Sequence, residues 1–229
     1  MNTKLIIHIV ISLISLSGLI VYYYAFLLGY KKHNSQLKKQ SKLPEKLYFM
    51  STYPALIWYV LPFIEQPRMH GIYDWLNGEF VFFNVLYIPV SFLLFVYFFG
   101  IWGKKSVSQN IEATKSAFYA PSKLLTEGIY ARVQHPMIIG DILGHFSLVL
   151  LTGGIYTCIL FPIYVFIDLF MIKIQVKYSL EPYYKSELIV YRKKTPVLLD
   201  QKLLFIVLFM ALLVICNFLN YTKIIYFLK

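Results

Sequence analysis

Residues 5–28 read LIIHIVISLISLSGLIVYYYAFLL, a stretch that contains no Asp, Glu, Lys or Arg. A helix that spans the hydrocarbon core of a bilayer needs about 20 consecutive, mainly apolar residues, and this stretch meets that requirement. It is also longer than the apolar core of a cleaved signal peptide. We therefore expect the stretch to be a retained transmembrane helix.

Comparable apolar runs recur along the rest of the chain. The sequence is 59% hydrophobic and only 14% charged, whereas a soluble domain carries about 25% charged residues. We predict an all-α fold: a polytopic membrane helix bundle of about six spans, forming a single domain over residues 1–229. The predicted spans are 5–28, 47–64, 80–102, 136–151, 155–172 and 203–219. Residues 173–200 combine tyrosines with basic residues and are expected to form an amphipathic cap at the membrane surface.

The formal net charge of +11 is unevenly distributed. Basic residues follow spans one, three and five, whereas the loops after spans two and four carry few. Among these basic residues are Lys38, Lys39, Lys104, Lys115 and Lys193. The positive-inside rule then places loops one, three and five in the cytosol and both termini on the opposite side. This topology and contact with anionic lipid account for the charge, so we expect the lipid bilayer and no nucleic acid as a partner.

Two segments on the predicted cytosolic side carry the functional signal. Residues 128–140 read GIYARVQHPMIIG, a polar turn that ends in His135-Pro136 and leads directly into the fourth span. Residues 188–199 read LIVYRKKTPVLL and follow one helical hairpin later. A histidine at the junction of a membrane helix with water suggests a ligand-binding role.

Together the two segments resemble a pattern of integral membrane methyltransferases. This group includes isoprenylcysteine carboxyl methyltransferases, phospholipid methyltransferases and methanethiol S-methyltransferases, and the resemblance covers about residues 120–200. It implies a cytosolic pocket for S-adenosylmethionine that the C-terminal segment closes. It also implies a small or lipophilic acceptor, which could be a thiol, a prenylcysteine carboxylate or a lipid amine.

The resemblance assigns roles to individual residues of this chain. The catalytic candidates are Tyr130, Gln134 and His135. The cofactor-binding candidates are His135, Pro136, Gly140, Tyr191, Arg192 and Glu181. In this assignment His135 orients the methyl donor, Tyr130 and Tyr191 face its sulfonium, and Arg192 pairs with its carboxylate.

The chain departs from the family pattern at four positions. Gln134 stands where the family has Arg, and Ile138 stands where it has Tyr. Val176 and Lys177 stand where the family has a pair of Glu residues, and Glu181 is the candidate substitute for the missing acid. Gln134 keeps the capacity to donate hydrogen bonds but lacks the guanidinium charge. Because of these departures, a divergent non-catalytic membrane protein is an alternative to the enzyme.

Asp141, His145 and Asp168 form a second group of candidates inside the predicted spans. One interpretation is a haem or metal site in which His135 or His145 is an axial ligand. The segment from His135 to His145 also resembles a sequence pattern of the NnrU family and of a haem-containing carotene isomerase. The alternative is that Asp141 and His145 bond to each other while Asp168 bonds to a Tyr or Ser. For the methyltransferase interpretation no resident metal is expected.

The remaining expectations concern packing. Tyr22–Tyr24 are expected in an interfacial aromatic belt, although a tunnel for a lipid tail would use the same residue types. Trp58 and Trp75 are expected as anchors at the outer surface. Gly140 and Gly144 are expected to form a packing notch within the hairpin of spans four and five rather than a dimer contact. The chain is expected to be a monomer or a weak dimer.

Overall fold

The computed structural model describes residues 3–34, 42–114 and 123–227. Its regular elements are all helical, and the only β-type pairing within those ranges is one isolated bridge between Arg68 and Gly154. The α-helices are α1 (Thr3–Asn34), α2 (Leu43–Val60), α3 (Ile72–Leu76), α4 (Asn84–Phe95), α5 (Gly103–Thr114), α6 (Pro136–Thr152), α7 (Ile155–Gln175), α8 (Glu181–Lys194) and α9 (Gln201–Phe227).

Two short π-helical segments join consecutive α-helices. Val96–Trp102 links α4 to α5, and Val176–Leu180 links α7 to α8. Single 3₁₀ turns occur at Leu61–Phe63 and at Gly128–Ala131. The predicted basic positions Lys38, Lys39 and Lys115 lie outside the described residues.

Four helices of the described chain are long and apolar enough to cross a membrane. They are Thr3–Lys32, Asn84–Ala113, Ile155–Lys194 and Gln201–Tyr221. The prediction of an all-helical membrane protein is confirmed to this extent. The two remaining predicted spans correspond to α2, with 18 residues and an internal Pro54, and to α6, with 17 residues.

The short helix α6 is the centre of the bundle. Thirteen of its residues are buried, and it packs against α4, α5, α7, α9 and the first π-helical segment. A helix of this length measures about 26 Å, slightly less than the bilayer core of about 30 Å. Because protein surrounds α6 along its length, its ends need not reach the lipid headgroups.

Gly140 and Gly144 let the first π-helical segment approach α6 closely. A Cβ on Gly140 would lie 2.8 Å from Cδ1 of Trp102, and a Cβ on Gly144 would lie 3.4 Å from Cβ of Phe99. The expected packing notch is therefore present. It accepts Trp102 and Phe99 rather than the hairpin partner α7, which corrects the expected location.

The segment after α2 clamps the turn between α6 and α7. The Met69 N–H donates to the carbonyl of Gly153 (2.8 Å), and the Ile155 N–H donates to the carbonyl of Pro67 (3.0 Å). The Arg68 guanidinium donates to the carbonyls of Pro62 (2.8 Å) and Thr152 (3.1 Å). These bonds fix the end of the α6–α7 hairpin.

We predict that Gly153→Ala lowers the free energy of unfolding by about 2 kcal/mol. Gly153 has φ of +65°, and an added Cβ would press on the carbonyl oxygens of Met69 and His70. Gly78→Ala is the matched control, because Gly78 has φ of +77° and no atom within 4 Å of the added Cβ. The control should cost about 1 kcal/mol through backbone strain alone. Chemical unfolding in detergent micelles measures both, and equal losses would contradict the steric explanation.

The predicted cap region is helical and bent. Pro182 lies in the first turn of α8, where its missing N–H costs no helical hydrogen bond. The backbone at Tyr184 leaves the helical conformation (φ −128°, ψ 26°), which kinks α8. Beyond the kink, Leu188 and Tyr191 are buried while Ile189 is 51% exposed. One face of α8 thus packs on the bundle.

Candidate functional site

The two segments selected from the sequence contact each other directly. The Tyr191 hydroxyl donates to the carbonyl of Tyr130 at 2.5 Å. The Gln134 side chain donates to the carbonyl of Thr195 at 2.6 Å, and its backbone N–H donates to the carbonyl of Pro196 at 3.0 Å. The turn before α6 and the tail after α8 therefore form one structural unit.

An ion pair extends this unit to α9. The Arg132 guanidinium contacts the Asp200 carboxylate at 2.7 Å, and the same carboxylate accepts from the Leu203 N–H at 2.7 Å. Asp200 thereby caps the start of α9. The segment 195–203 is held to the turn through both backbone and side chains.

A cavity of about 740 Å³ lies beside this contact. It is within the range of small-molecule sites, which run from about 300 to 1,000 Å³. Five of the predicted site residues line it: Tyr130, Gln134, His135, Gly140 and Tyr191. The structure thus brings together residues from both segments around one space.

His135 is held at the cavity wall with one ring nitrogen bonded and the other without a partner. Its Nδ1 lies 3.1 Å from Oε1 of Gln175, which accepts a hydrogen bond and fixes the tautomer. Its Nε2 has no hydrogen-bond partner among the described residues, and the side chain is only 5% exposed. Burial lowers the pKa of His135 to about 4, with the nearby Arg192 charge acting in the same direction and the Gln175 bond opposing both. His135 is therefore neutral near pH 7.

We predict that this buried histidine makes stability fall in acid. Above pH 6.5 His135 is neutral in both folded and unfolded chains and contributes nothing. Between pH 6.5 and about 4 the unfolded chain binds a proton that the folded chain does not. The free energy of unfolding therefore decreases across this window, by about 3 kcal/mol at its lower end. Measured from pH 8 to pH 4, the free energy of unfolding of the wild type should fall by about 3 kcal/mol relative to that of His135→Asn. Parallel curves would contradict the prediction.

The start of α6 borders the cavity. His135 precedes the helix without making a side-chain cap, and Pro136 occupies its first turn. The first bond of this helix is the Ile139 N–H to the His135 carbonyl. The N–H groups of Met137 and Ile138 belong to the first turn, which has no intrahelical acceptors, and both residues line the cavity. Such a helix start favours a negatively charged group.

Three predicted cofactor-binding residues do not line the cavity. Pro136 is buried in the helix start, and its carbonyl accepts from Trp102 Nε1 at 2.7 Å. Arg192 and Glu181 pair with each other at 3.5 Å on the outer side of α8. Arg192 acts on the cavity only at a distance, through its charge.

Aromatic side chains make up much of the wall, and most of them were not predicted as site residues. Tyr22 and Tyr23 line the cavity, whereas Tyr24 is 51% exposed. The expectation that this whole run forms an interfacial belt is therefore wrong for its first two members. Further aromatic lining residues are Phe26, Tyr30, Tyr48, Trp58, Tyr59, Phe98 and Phe99.

The cavity wall is acidic, whereas the chain as a whole is basic. No Lys or Arg is found among the lining residues of the described chain, although the protein carries a net charge of +11. Asp141 is a lining residue and carries the only carboxylate in that set. The wall thus combines aromatic faces with an acidic group, which suits a cationic ligand.

Asp168 is buried and bonds to Tyr23, which lines the cavity. The Tyr23 hydroxyl donates to Asp168 Oδ1 at 2.5 Å, which confirms the expectation that Asp168 pairs with a Tyr or Ser. Asp168 is 1% exposed, and its Oδ2 has no partner among the described residues.

His145 is sealed in the core and does not border the cavity. It stacks on Trp58 with ring centroids 3.6 Å apart, and neither ring nitrogen has a partner within the described part of the chain. The expectation that Asp141 and His145 bond to each other is therefore wrong. Within the described ranges no group of three or more His, Cys, Asp or Glu side chains is arranged to hold a metal ion.

Comparison with known proteins adds no assignment. No protein-family model, no curated protein and no solved structure matches the chain.

Proposed function

We propose that the chain is an integral membrane methyltransferase that uses S-adenosylmethionine as methyl donor and acts on a small or lipophilic acceptor. The observation that carries the proposal is the cavity, which is lined by Tyr130, Gln134, His135, Gly140 and Tyr191 and contains no basic side chain in its described wall. Bound there, S-adenosylmethionine would supply an electrophilic methyl group on a sulfonium cation.

The wall offers complementary groups to each part of such a donor. The faces of Tyr130 and Tyr191 attract a sulfonium by cation–π interaction. The N–H groups of Met137 and Ile138 at the start of α6 bind a carboxylate. The unpartnered His135 Nε2 accepts a hydrogen bond from an ammonium group. In this arrangement the helix start replaces Arg192 as the carboxylate partner.

The proposed reaction requires positioning rather than a protein nucleophile. Methyl transfer is an in-line displacement, which a site accelerates by aligning the two substrates and excluding water. The contact of Tyr191 with Tyr130 and the bonds of Gln134 to Thr195 and Pro196 hold the tail over the turn. The acceptor enters, in this proposal, from the bilayer side, and the donor enters from the cytosol.

Isothermal titration of the detergent-purified protein with S-adenosylmethionine and S-adenosylhomocysteine tests the proposal. We expect saturable binding of both at one site per chain. Gly140→Leu should remove binding, since a side chain there would meet Trp102 at the cavity wall. Gly100→Leu is the matched control, because nothing lies within 4 Å of its added Cβ. An absence of heat with both ligands would refute the proposal.

One observation favours a haem protein as the second candidate. His135 bonds through Nδ1 to an amide oxygen and leaves Nε2 without a partner at the cavity wall. Metal-ligating histidines commonly bond through their other ring nitrogen to an oxygen acceptor in this way. Of the two proposed axial ligands only His135 borders the cavity. A Soret band in the absorption spectrum of the purified protein would support this candidate and oppose the methyltransferase.

A further inference from the structure

We infer that Asp141 and Asp168, together with the ring of Tyr23, form a binding site for an ammonium headgroup, so that the methyl acceptor is an amine on an apolar chain. The inference rests on the proposed function in assigning the amine the role of acceptor. The ammonium site itself stands on the geometry alone.

The carboxyl groups of Asp141 and Asp168 lie where a bound cation would compensate their burial. Asp141 lines the cavity, and Asp168 is 1% exposed and bonded to Tyr23, which lines the same cavity. A carboxylate in a water-poor interior is costly unless it is protonated or binds a cation. The Tyr23 hydroxyl satisfies only Oδ1 of Asp168, and Oδ2 is without a partner among the described residues.

The surroundings select an organic cation over a metal ion. The rings of Tyr22 and Tyr23 line the same cavity as Asp141. Aromatic faces attract ammonium ions, whereas a metal ion takes oxygen and nitrogen ligands. Within the described residues no set of metal-ligating side chains is assembled.

The same wall disfavours an anionic acceptor. A carboxylate headgroup entering the cavity would meet Asp141 and no lysine or arginine among the described lining residues. Like charges brought together in a water-poor site strongly disfavour binding. Of the acceptor classes considered from the sequence, the prenylcysteine carboxylate is therefore the least suited, and the amine is the best suited.

The acid pair also has a chemical role in this reaction. An ammonium nitrogen has no free electron pair, so one N–H bond must break and its proton pass to the Asp141 carboxylate. The freed electron pair forms the new bond from nitrogen to the methyl carbon. The bond between that carbon and sulfur breaks, and its electrons return to sulfur, which becomes a neutral thioether. The product is a methylated ammonium ion, and the proton on Asp141 leaves in a later step.

Thermal unfolding with matched six-carbon ligands tests the ammonium site without any methyl donor. A ligand that binds only the folded chain raises the unfolding midpoint. We expect hexylammonium to raise the midpoint of the wild type, whereas hexanoate and hexanol should not. Asp141→Asn and Asp168→Asn should each weaken hexylammonium at least about 10-fold, as expected when one partner of a desolvated charge interaction is removed. Glu79→Gln, which changes an exposed carboxylate outside the cavity, should have no effect.

A second arm separates a lipid from a free amine. Dihexanoyl phosphatidylethanolamine and dihexanoyl phosphatidylglycerol have the same chains and differ at the headgroup amine. Stabilisation by the first lipid and not the second identifies a lipid amine. Stabilisation by hexylammonium alone identifies a small amine.

The outcomes distinguish this inference from the proposed function. If S-adenosylmethionine binds and hexanoate stabilises the protein as well as hexylammonium does, the amine inference is overturned and the methyltransferase stands. If hexylammonium binding depends on Asp141 and the methyl donor does not bind, the ammonium site stands and the methyltransferase falls. If hexylammonium stabilises the wild type and Asp141→Asn equally, the ammonium site is refuted.

Discussion

Replacing Tyr191 by Ala is expected to lower the affinity for S-adenosylmethionine at least about 100-fold, the loss typical of a buried aromatic anchor. Tyr191 is 7% exposed and lines the cavity, and its hydroxyl holds the carbonyl of Tyr130 at 2.5 Å. The substitution removes a ring from the wall and releases the tail from the turn. Titration calorimetry of the purified variant measures the effect.

Tyr191→Phe is the matched control, because it keeps the ring and removes only the hydrogen bond. A single neutral bond contributes about 1 kcal/mol, so the control should lose about 5-fold in affinity. The unfolding midpoints of both variants must be recorded alongside the titrations. Equal affinities of the wild type and Tyr191→Ala would show that the tail does not close the binding site.

Replacing Trp58 by Ala is expected to lower the free energy of unfolding by about 4 kcal/mol, as large-to-small changes of core aromatics do. Trp58 is 3% exposed and packs between the rings of His145 and Tyr164, at centroid distances of 3.6 and 3.3 Å. Its loss would leave a cavity next to His145, whose ring nitrogens already lack partners in the described chain. Unfolding in mixed micelles of increasing denaturing-detergent content measures the change.

Trp75→Ala provides the comparison, since Trp75 is 69% exposed. Its replacement should change stability by less than about 1 kcal/mol. From the sequence, both tryptophans are expected to anchor the protein at the membrane interface. In the structure, Trp58 is buried and Trp75 is exposed. Similar losses for both would contradict the core position of Trp58.

The helical class of this chain follows from composition because the membrane restricts the possible structures. A backbone without water must satisfy its own hydrogen bonds, and long apolar runs do so as helices. The boundaries depend on more than apolarity. The helix α6 is shorter than a bilayer is thick, because the bundle rather than lipid surrounds it. The sequence does indicate this length, since the predicted span 136–151 agrees with α6 to within one residue. Hydropathy does not show that α6 lies at the centre of the bundle.

Part of the candidate site was predictable from the sequence because its residues stand in an unusual local context. Tyr130, Gln134 and His135 stand in a polar turn beside an apolar run, so their unusual context marks them. Tyr191 and Arg192 are adjacent, but consecutive helix residues point about 100° apart. Only Tyr191 faces the cavity, and Arg192 points outward to Glu181.

The aromatic and acidic parts of the wall depend on long-range pairing. Tyr23 and Asp168 are 145 residues apart in the sequence, and only the packing of α1 against α7 brings them together. Tyrosines near the end of a span are equally common in interfacial belts, so Tyr22 and Tyr23 give no local signal for a ligand. The sequence places Trp58 at the outer surface, because its burial depends on contacts with α6 and α7.

The two π-helical segments imply a simple route by which this cavity can be remodelled in evolution. A π turn accommodates one more residue than the α turn it interrupts. Phe98 and Phe99 in the first segment and Ser179 and Leu180 in the second all border the cavity. Deleting one residue from either segment would restore α geometry at the joint while leaving the helix beyond it nearly in register, so the change would be confined to the cavity wall. Single-codon insertions and deletions at these two joints, more than point substitutions, would therefore alter ligand selectivity among descendants of this fold.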